Sequence, residues 1–177
     1  PGNLHRLDRH TTGVMVIPKT QAMYDHLKKQ FSDRTVEKTY TALLHGHVRD
    51  DAGEITHPIG RSRNKSRMAA RPENTYESDR PAVTRYEVVK RFRKPLTLAH
   101  AHPLTGRTHQ IRVHFMALGF PVVGDQVYTI KKQRVKSELG RHFLHAEKLS
   151  FSDLSDNRIT VEAPLPTELQ QFLEKLV

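Results

Sequence analysis

The chain has 177 residues, 36% of them hydrophobic and 27% charged, which bounds it to one domain with a real core and a heavily solvated surface. Lysine and arginine number 29 against 19 acidic residues, a formal charge of +10 that points to a polyanionic partner, most simply nucleic acid. Cysteine is absent, which excludes disulfides, thiolate metal sites and a cysteine nucleophile. No apolar run approaches the ~20 residues that span a bilayer. No signal peptide opens the chain, so a soluble, cytoplasmic protein is expected, monomeric by default. The start at Pro1-Gly2, without an initiator Met, reads as that of a fragment of something longer.

The first element expected is a short buried strand, Val14-Met15-Val16-Ile17, closed by Pro18. Thr20 can cap a helix over about 21–31, whose Met23, Leu27 and Phe31 make one core-facing stripe. Val36 to Leu44 reads as a strand with Val36, Lys38, Tyr40, Ala42 and Leu44 on one face. Between Ile55 and Pro72 there is no acid, but there are Arg61, Arg63, Lys65, Arg67 and Arg71. That composition suits a basic loop or hairpin tip that contacts phosphates. Val83 to Phe92 and Leu96 to Ala101 read as paired strands around a turn at Lys94-Pro95.

After Gly106 the period changes. Ile111, Phe115 and Leu118 mark a helical face, with Thr108 as N-cap and Gly119 as the stop. His109 and Arg112, three apart, would point the same way. Strands follow at 143–151 and 158–163, and Pro164 and Pro166 precede a last helix carrying Leu169, Phe172, Leu173 and Leu176. There are no repeats. Strands and helices mix without βαβ alternation, which predicts an α+β fold with a mixed, mainly antiparallel sheet flanked by helices and loops.

Asp8 lies between Arg6 and Arg9 and is read as an ionised carboxylate, able to act as nucleophile or general base. The plainer reading is a turn-capping or surface-paired Asp. Arg112 is the natural inward partner of Asp8 if the helix start faces the same cleft, because a buried Asp–Arg pair tends to need a reason. Tyr40 could stack on an extruded base, although a core tyrosine is the commoner fate. Among the twelve histidines the possible pairs are His5/His10, His45/His47, His100/His102 and His109/His114, and none has HExxH spacing. They are read mostly as surface or RNA-facing residues, with no metal. Thr105-Gly106-Arg107-Thr108 is neither a Walker A nor a GxGxxG loop. A metal-dependent nuclease would want paired carboxylates, and no acidic cluster lies near these motifs in sequence.

His5-Arg6-Leu7-Asp8 followed by Thr12-Gly13 resembles the signature motif of the RluA-type pseudouridine synthases. Glu37-Lys38-Thr39-Tyr40-Thr41-Ala42-Leu43 is similar to the second motif of that family. Thr105-Gly106-Arg107-Thr108-His109-Gln110-Ile111-Arg112-Val113-His114 is similar to the third. The runs Gly119 to Asp125 and Leu144-His145-Ala146 also fit, so the resemblance extends from Leu4 to about Leu165. It implies the family's catalytic fold and isomerisation of uridine to pseudouridine in folded RNA, without cofactor or metal. Ribosomal large-subunit RNA is the first choice of substrate and transfer RNA the second; a non-catalytic RNA-binding or ribosome-assembly protein is the competing reading.

Carried over by the resemblance, Asp8 is the catalytic aspartate, attacking C1′ or taking the 2′ proton to form a glycal. Tyr40 stacks on the uracil and assists loss of the C5 proton. Arg112 pairs with Asp8, and Arg6 helps extrude the target base. Lys38, Arg107, His109, Arg61, Arg63, Lys65 and Arg67 are expected to contact substrate RNA. In that family an S4-type RNA-binding domain and an Asn-Lys-Pro-x-Gly motif precede these residues. Neither occurs here, so residues 1–177 are expected to be the catalytic domain without its N-terminal part.

Overall fold

The computed structural model describes residues 2–62, 67–72, 76–130 and 139–176. In chain order it runs β1 (Thr12–Gly13), α1 (Gln21–Asp33), β2 (Glu37–His45), β3 (Ala52–Ile55), β4 (Ile59–Arg61) and β5 (Met68–Ala70). Then follow β6 (Thr84–Arg91), β7 (Leu96–Pro103), α2 (Gln110–Ala117), β8 (Leu144–Ser152), β9 (Arg158–Glu162) and α3 (Thr167–Glu174). Seven strands make one sheet, ordered β1-β8-β2-β7-β6-β3, with β9 also paired to β8. Only the β1–β8 pairing is parallel among the described strands. β4 and β5 form a separate hairpin. The α+β expectation with a mainly antiparallel sheet holds.

Side-chain period explains where the helices sit. On β2, Ala42 and Leu44 share one face and join Ala99 and Ala101 of β7, with Ile111 and Phe115 of α2 packed over them. Leu43 points to the other face, into a cluster with Phe143 and Leu169, to which Phe172 and Leu173 of α3 add. The middle of the sheet is therefore covered on both sides. Burying a Leu or Phe side chain this way contributes roughly 1.5–3 kcal/mol each. The third cluster joins Leu27 of α1 to Val36, Leu149 and Phe151, with Leu4, Val14, Val16, Met23 and Phe31 around it. That cluster anchors the segment leading into β1 against α1. Helix α1 starts where expected, with the Thr20 hydroxyl accepting from the Met23 N–H at 3.2 Å.

Three local expectations are corrected. Residues 14–17 are not a buried strand: Val14 N–H still reaches the Ala146 carbonyl at 2.9 Å, but Met15 and Ile17 are 38% and 57% exposed. The reason is competition for one edge, because β9 occupies β8 from Lys148 onward. Thr108 is not the N-cap of α2. His109 takes that position in the left-handed region, at φ 56°, with no side-chain cap. The Gln110 side chain organises the turn instead. Its Oε1 accepts from the Thr105 hydroxyl at 2.7 Å and the Arg107 N–H at 2.9 Å. Its amide nitrogen donates to the Val83 carbonyl at 2.9 Å. Finally, His114, His142 and His145 are core residues rather than surface ones.

Candidate active site

Asp8 is presented by a tight turn, the Thr11 N–H donating to the Asp8 carbonyl at 2.9 Å. Both flanks of this turn are fixed. Upstream, His5 packs on Phe31 with ring centroids 5.0 Å apart, and its Nε2 accepts the Val16 N–H at 3.0 Å. Downstream, Thr11 and Thr12 pair through their hydroxyls with His142 Nε2 at 2.8 Å and His145 Nδ1 at 2.9 Å. Gly13 then lies flat on β8 with φ +119°, and a Cβ there would stand 2.0 Å from the Ala146 carbonyl oxygen. Only glycine permits that approach and that dihedral together.

Helix α2 brings Arg112 to this turn. Its Nη1 donates to Asp8 Oδ2 at 3.1 Å. Its other edge is held by Asp125, with Nε to Oδ2 at 2.6 Å and Nη2 to Oδ1 at 2.9 Å. The guanidinium also lies over the Tyr128 ring, 5.0 Å from its centroid. The side chains of Arg112, Asp125 and Asp8 are 7%, 0% and 19% exposed, so the innermost ion pair is dry and the Asp8 end opens to solvent. Burial opposes the charge on Arg112, but hydrogen bonds and charge from Asp125 and Asp8 outweigh it and raise its pKa. Burial likewise opposes ionisation of Asp125, and Arg112 with the Tyr128 and Val127 N–H groups overcomes it, leaving a lowered pKa. Bidentate geometry is what allows a buried pair to offset its desolvation.

Asp8 opens into a cavity of about 1080 Å3 whose lining includes Arg6, Lys38, Tyr40, Arg107 and His109. Tyr40 is half-buried; burial, and then the charge of Asp8, push its hydroxyl up to about 12. Burial pushes Lys38 down to about 8 and also lowers His109. His109 Nδ1 meets the Tyr128 hydroxyl at 2.7 Å, and the same hydroxyl accepts the Met68 N–H of β5 at 3.0 Å. His109 and Arg112 do converge on one tyrosine, His109 at the Tyr128 hydroxyl and Arg112 over its ring. Arg6 and Arg107 are exposed at the cavity, whereas Arg61 and Arg67 are exposed on the β4–β5 hairpin. Arg63 and Lys65 lie outside the described residues. Arg71 turns inward to Asp79 at 2.6 Å and to the Arg61 carbonyl at 2.8 Å, so it is not a phosphate-facing cation.

Asp8 and Tyr40 thus line one hollow, and Arg112, more than a hundred residues from Asp8, backs it through its contact with the Asp8 carboxylate. Sequence reasoning missed Asp125 and Tyr128, which position Arg112, and Gln110, which shapes the turn before α2. Asp125 brings a second acid to Arg112, and Arg112 with two backbone N–H groups occupies its oxygens. The only sequence signal was its place in the Gly119-to-Asp125 run. Among the described residues no group of three or more His, Asp or Glu is arranged to hold a metal ion. None of their helices is long and apolar enough to cross a membrane.

The site is thus a cationic cavity with one arginine-held aspartate and a neighbouring tyrosine, and comparison with known proteins supplies the family. Residues 1–117 match the RNA pseudouridylate synthase family, and the chain belongs to it. An uncharacterized RNA pseudouridine synthase of Mycobacterium bovis is 41% identical over 177 residues, covering 99% of this chain and 56% of that protein. The ribosomal large subunit pseudouridine synthase C of Vibrio cholerae is 33% identical, with 98% of this chain and 54% of that protein covered. Human RNA Pseudouridylate Synthase Domain Containing 1 superposes with a TM-score of 0.80 at 31% identity, over 98% of this chain and 78% of that one. The chain spans about half the length of the first two relatives.

Proposed function

We propose that residues 1–177 are the catalytic domain of an RNA pseudouridine synthase that isomerises uridines in folded RNA, with ribosomal large-subunit RNA as the preferred substrate. The observation that carries this reading is the Arg112 Nη1–Asp8 Oδ2 contact of 3.1 Å, with Asp8 lining the cationic cavity. In this reading Asp8 begins the reaction, by adding to C1′ or by removing the 2′ proton. Arg112 fixes its orientation, and Tyr40 stacks on the uracil. A uridine inside a helix hides C1′ and C5, so it is extruded at a cost of a few kcal/mol, with Arg6 taking its place in the stack. Phosphate contacts from Arg107, His109, Arg61 and Arg67 offset that cost; Arg63 and Lys65 extend the same basic run in sequence. The substrate choice is supported by the name of the Vibrio relative. Transfer RNA is the second choice, supported by a 36% identical relative in Pasteurella multocida named a dual-specificity RNA pseudouridine synthase.

The test is pseudouridine mapping across total RNA incubated with the full chain and with Asp8→Asn. New pseudouridines in large-subunit RNA, absent with Asp8→Asn, are expected. An Asp8→Asn protein that modifies RNA at the wild-type rate would remove Asp8 from the chemistry.

A further inference from the structure

The basic hairpin and the Asp8–Arg112 pair are separate pieces of structure that meet on one stretch of four residues, 125–128. β4 and β5 form a two-stranded sheet apart from the seven-stranded one. The base of this hairpin is pinned by reciprocal backbone bonds between Ile59 and Arg80, both 2.9 Å. Nearer its turn, the Met68 N–H donates to the Tyr128 hydroxyl at 3.0 Å, and Arg67 Nη1 donates to the Val127 carbonyl at 3.4 Å. Arg61 and Arg67 are exposed at this end of the hairpin.

The same four residues hold the arginine on their other side. Asp125 grips the Nε–Nη2 edge of Arg112, and its Oδ1 accepts the Val127 and Tyr128 N–H groups. The Tyr128 ring lies against the Arg112 guanidinium, 5.0 Å from centroid to Cζ. Its hydroxyl also pairs at 2.7 Å with His109 Nδ1, and His109 is the N-cap of the helix that carries Arg112. Tyr128 is 3% exposed, so water does not replace these partners in the closed loop. The hydroxyl and ring of a tyrosine move as one rigid body. A shift of the β5 backbone at Met68 is therefore passed to the ring that backs Arg112.

Affinity for RNA needs none of this, because exposed arginines hold phosphates from any scaffold. A link of this kind matters when contact at the hairpin is to be felt at Asp8. Arg112 Nη1 is the donor to the Asp8 carboxylate, and a misplacement of about 1 Å at a reacting group slows chemistry by about a hundredfold.

We propose that Tyr128 is a positioning residue that couples the hairpin to the reaction centre. Phosphates held by Arg61 and Arg67 fix β5, β5 fixes the Tyr128 hydroxyl, and the Tyr128 ring fixes Arg112 in line with Asp8. Binding at the hairpin thereby raises the rate of the chemical step as well as the affinity. This deepens the reading of the site as a pseudouridine synthase centre and rests on it.

The test uses large-subunit ribosomal RNA transcribed with 5-tritiated uridine, and tritium release to water under single turnover. The full chain is compared as wild type, Tyr128→Phe, Arg61→Ala with Arg67→Ala, all three changes together, and Asp8→Asn. The rate at saturating protein reports the chemical step, and the half-saturating concentration reports affinity. Tyr128→Phe keeps the ring over Arg112 and deletes only the hydroxyl. It should slow the saturating rate by about tenfold with affinity unchanged. The arginine pair should lower affinity and also slow the saturating rate by about tenfold. The triple variant should be no slower than Tyr128→Phe, because one link is cut twice. Separate effects that multiply to about a hundredfold in the triple variant would overturn the coupling, as would a wild-type saturating rate in Tyr128→Phe or in the arginine pair. If Tyr128→Phe does not fold, Met68→Pro cuts the link from the hairpin side by removing the N–H donor, and the same pattern is expected of it. An inactive Asp8→Asn in the same assay keeps the reading of the site standing when the coupling fails; an Asp8→Asn protein at the wild-type rate removes that reading itself.

Discussion

Asp125 takes the Nε–Nη2 edge of Arg112 in a bidentate pair of 2.6 and 2.9 Å, leaving Nη1 as the donor to Asp8. The Asp8 carboxylate is therefore oriented by an arginine that is itself held from behind. Asp125 Oδ1 also accepts the Val127 and Tyr128 N–H groups at 2.9 Å, which ties the loop after α2 to the same point.

Replacing Asp125 with Ala should be among the most damaging single changes. It strands a buried guanidinium with one remaining carboxylate and leaves two N–H groups unpaired. Breaking such a buried pair costs about 3–5 kcal/mol. Urea denaturation of the variant checks the loss, and a midpoint equal to that of the wild type would show that Arg112 is held by something else.

Gly13 is the position where backbone geometry and the motif coincide. Gly13→Ala must push the β1 backbone off β8, because the added carbon would stand 2.0 Å from a carbonyl oxygen rather than from a yielding side chain. The expected outcome is a lower melting temperature together with lost activity, since Asp8 is only five positions upstream. Thermal melting beside a turnover assay decides it; an alanine variant with wild-type melting and turnover would contradict the tight β1–β8 approach.

Stability should fall on mild acidification. His142 is buried against Arg112 and the Thr11 hydroxyl; burial and then that neighbouring charge lower its pKa from 6.5 to about 4. Between those values the unfolded chain binds the proton and the folded chain does not. The contribution is therefore fully present above 6.5 and is lost as the pH drops toward 4. Burial lowers His114 as well, which adds loss in the same direction. Asp125, whose folded pKa is lowered from 3.8, keeps its contribution until still lower pH. Denaturant midpoints measured across pH 4 to 7 check the slope, and His142→Asn should flatten part of it.

RNA binding should weaken steeply with salt. Arg6→Ala and Arg107→Ala each remove one exposed cation at the cavity, and each should lower the log–log salt slope by about 1 if it contacts a phosphate. Filter binding over a salt series measures this. An unchanged slope for both would place the RNA backbone elsewhere on the molecule.

Much of the architecture was legible because periodicity reports burial directly. The stripe Met23-Leu27-Phe31, the alternation on 36–44 and the Ile111-Phe115 face each correspond to a packed element. What failed were questions of competition. Nothing local in Val14-Met15-Val16-Ile17 says that β9 already occupies the edge those residues would need. Thr108 carries a capping hydroxyl, yet Gln110 reaches back to satisfy the same turn and wins. The buried histidines were misread because a polar side chain is surface-like in sequence and becomes core only when a hydroxyl or carbonyl is supplied from afar, as Thr84 and His57 do for His114.

By itself the sequence determined the three helices, the long strands of the sheet, the positive charge, and the identity of an aspartate, a tyrosine and an arginine in separated motifs. It did so because propensity, period and charge are properties of neighbours along the chain. The tertiary structure alone decided that Asp125 locks Arg112, that Tyr128 joins His109 to the β5 backbone, and that Lys38 and Tyr40 line one cavity with Asp8. Those relationships join distant segments, and only the packing of the sheet and α2 brings their polar atoms within hydrogen-bonding distance or keeps them apart.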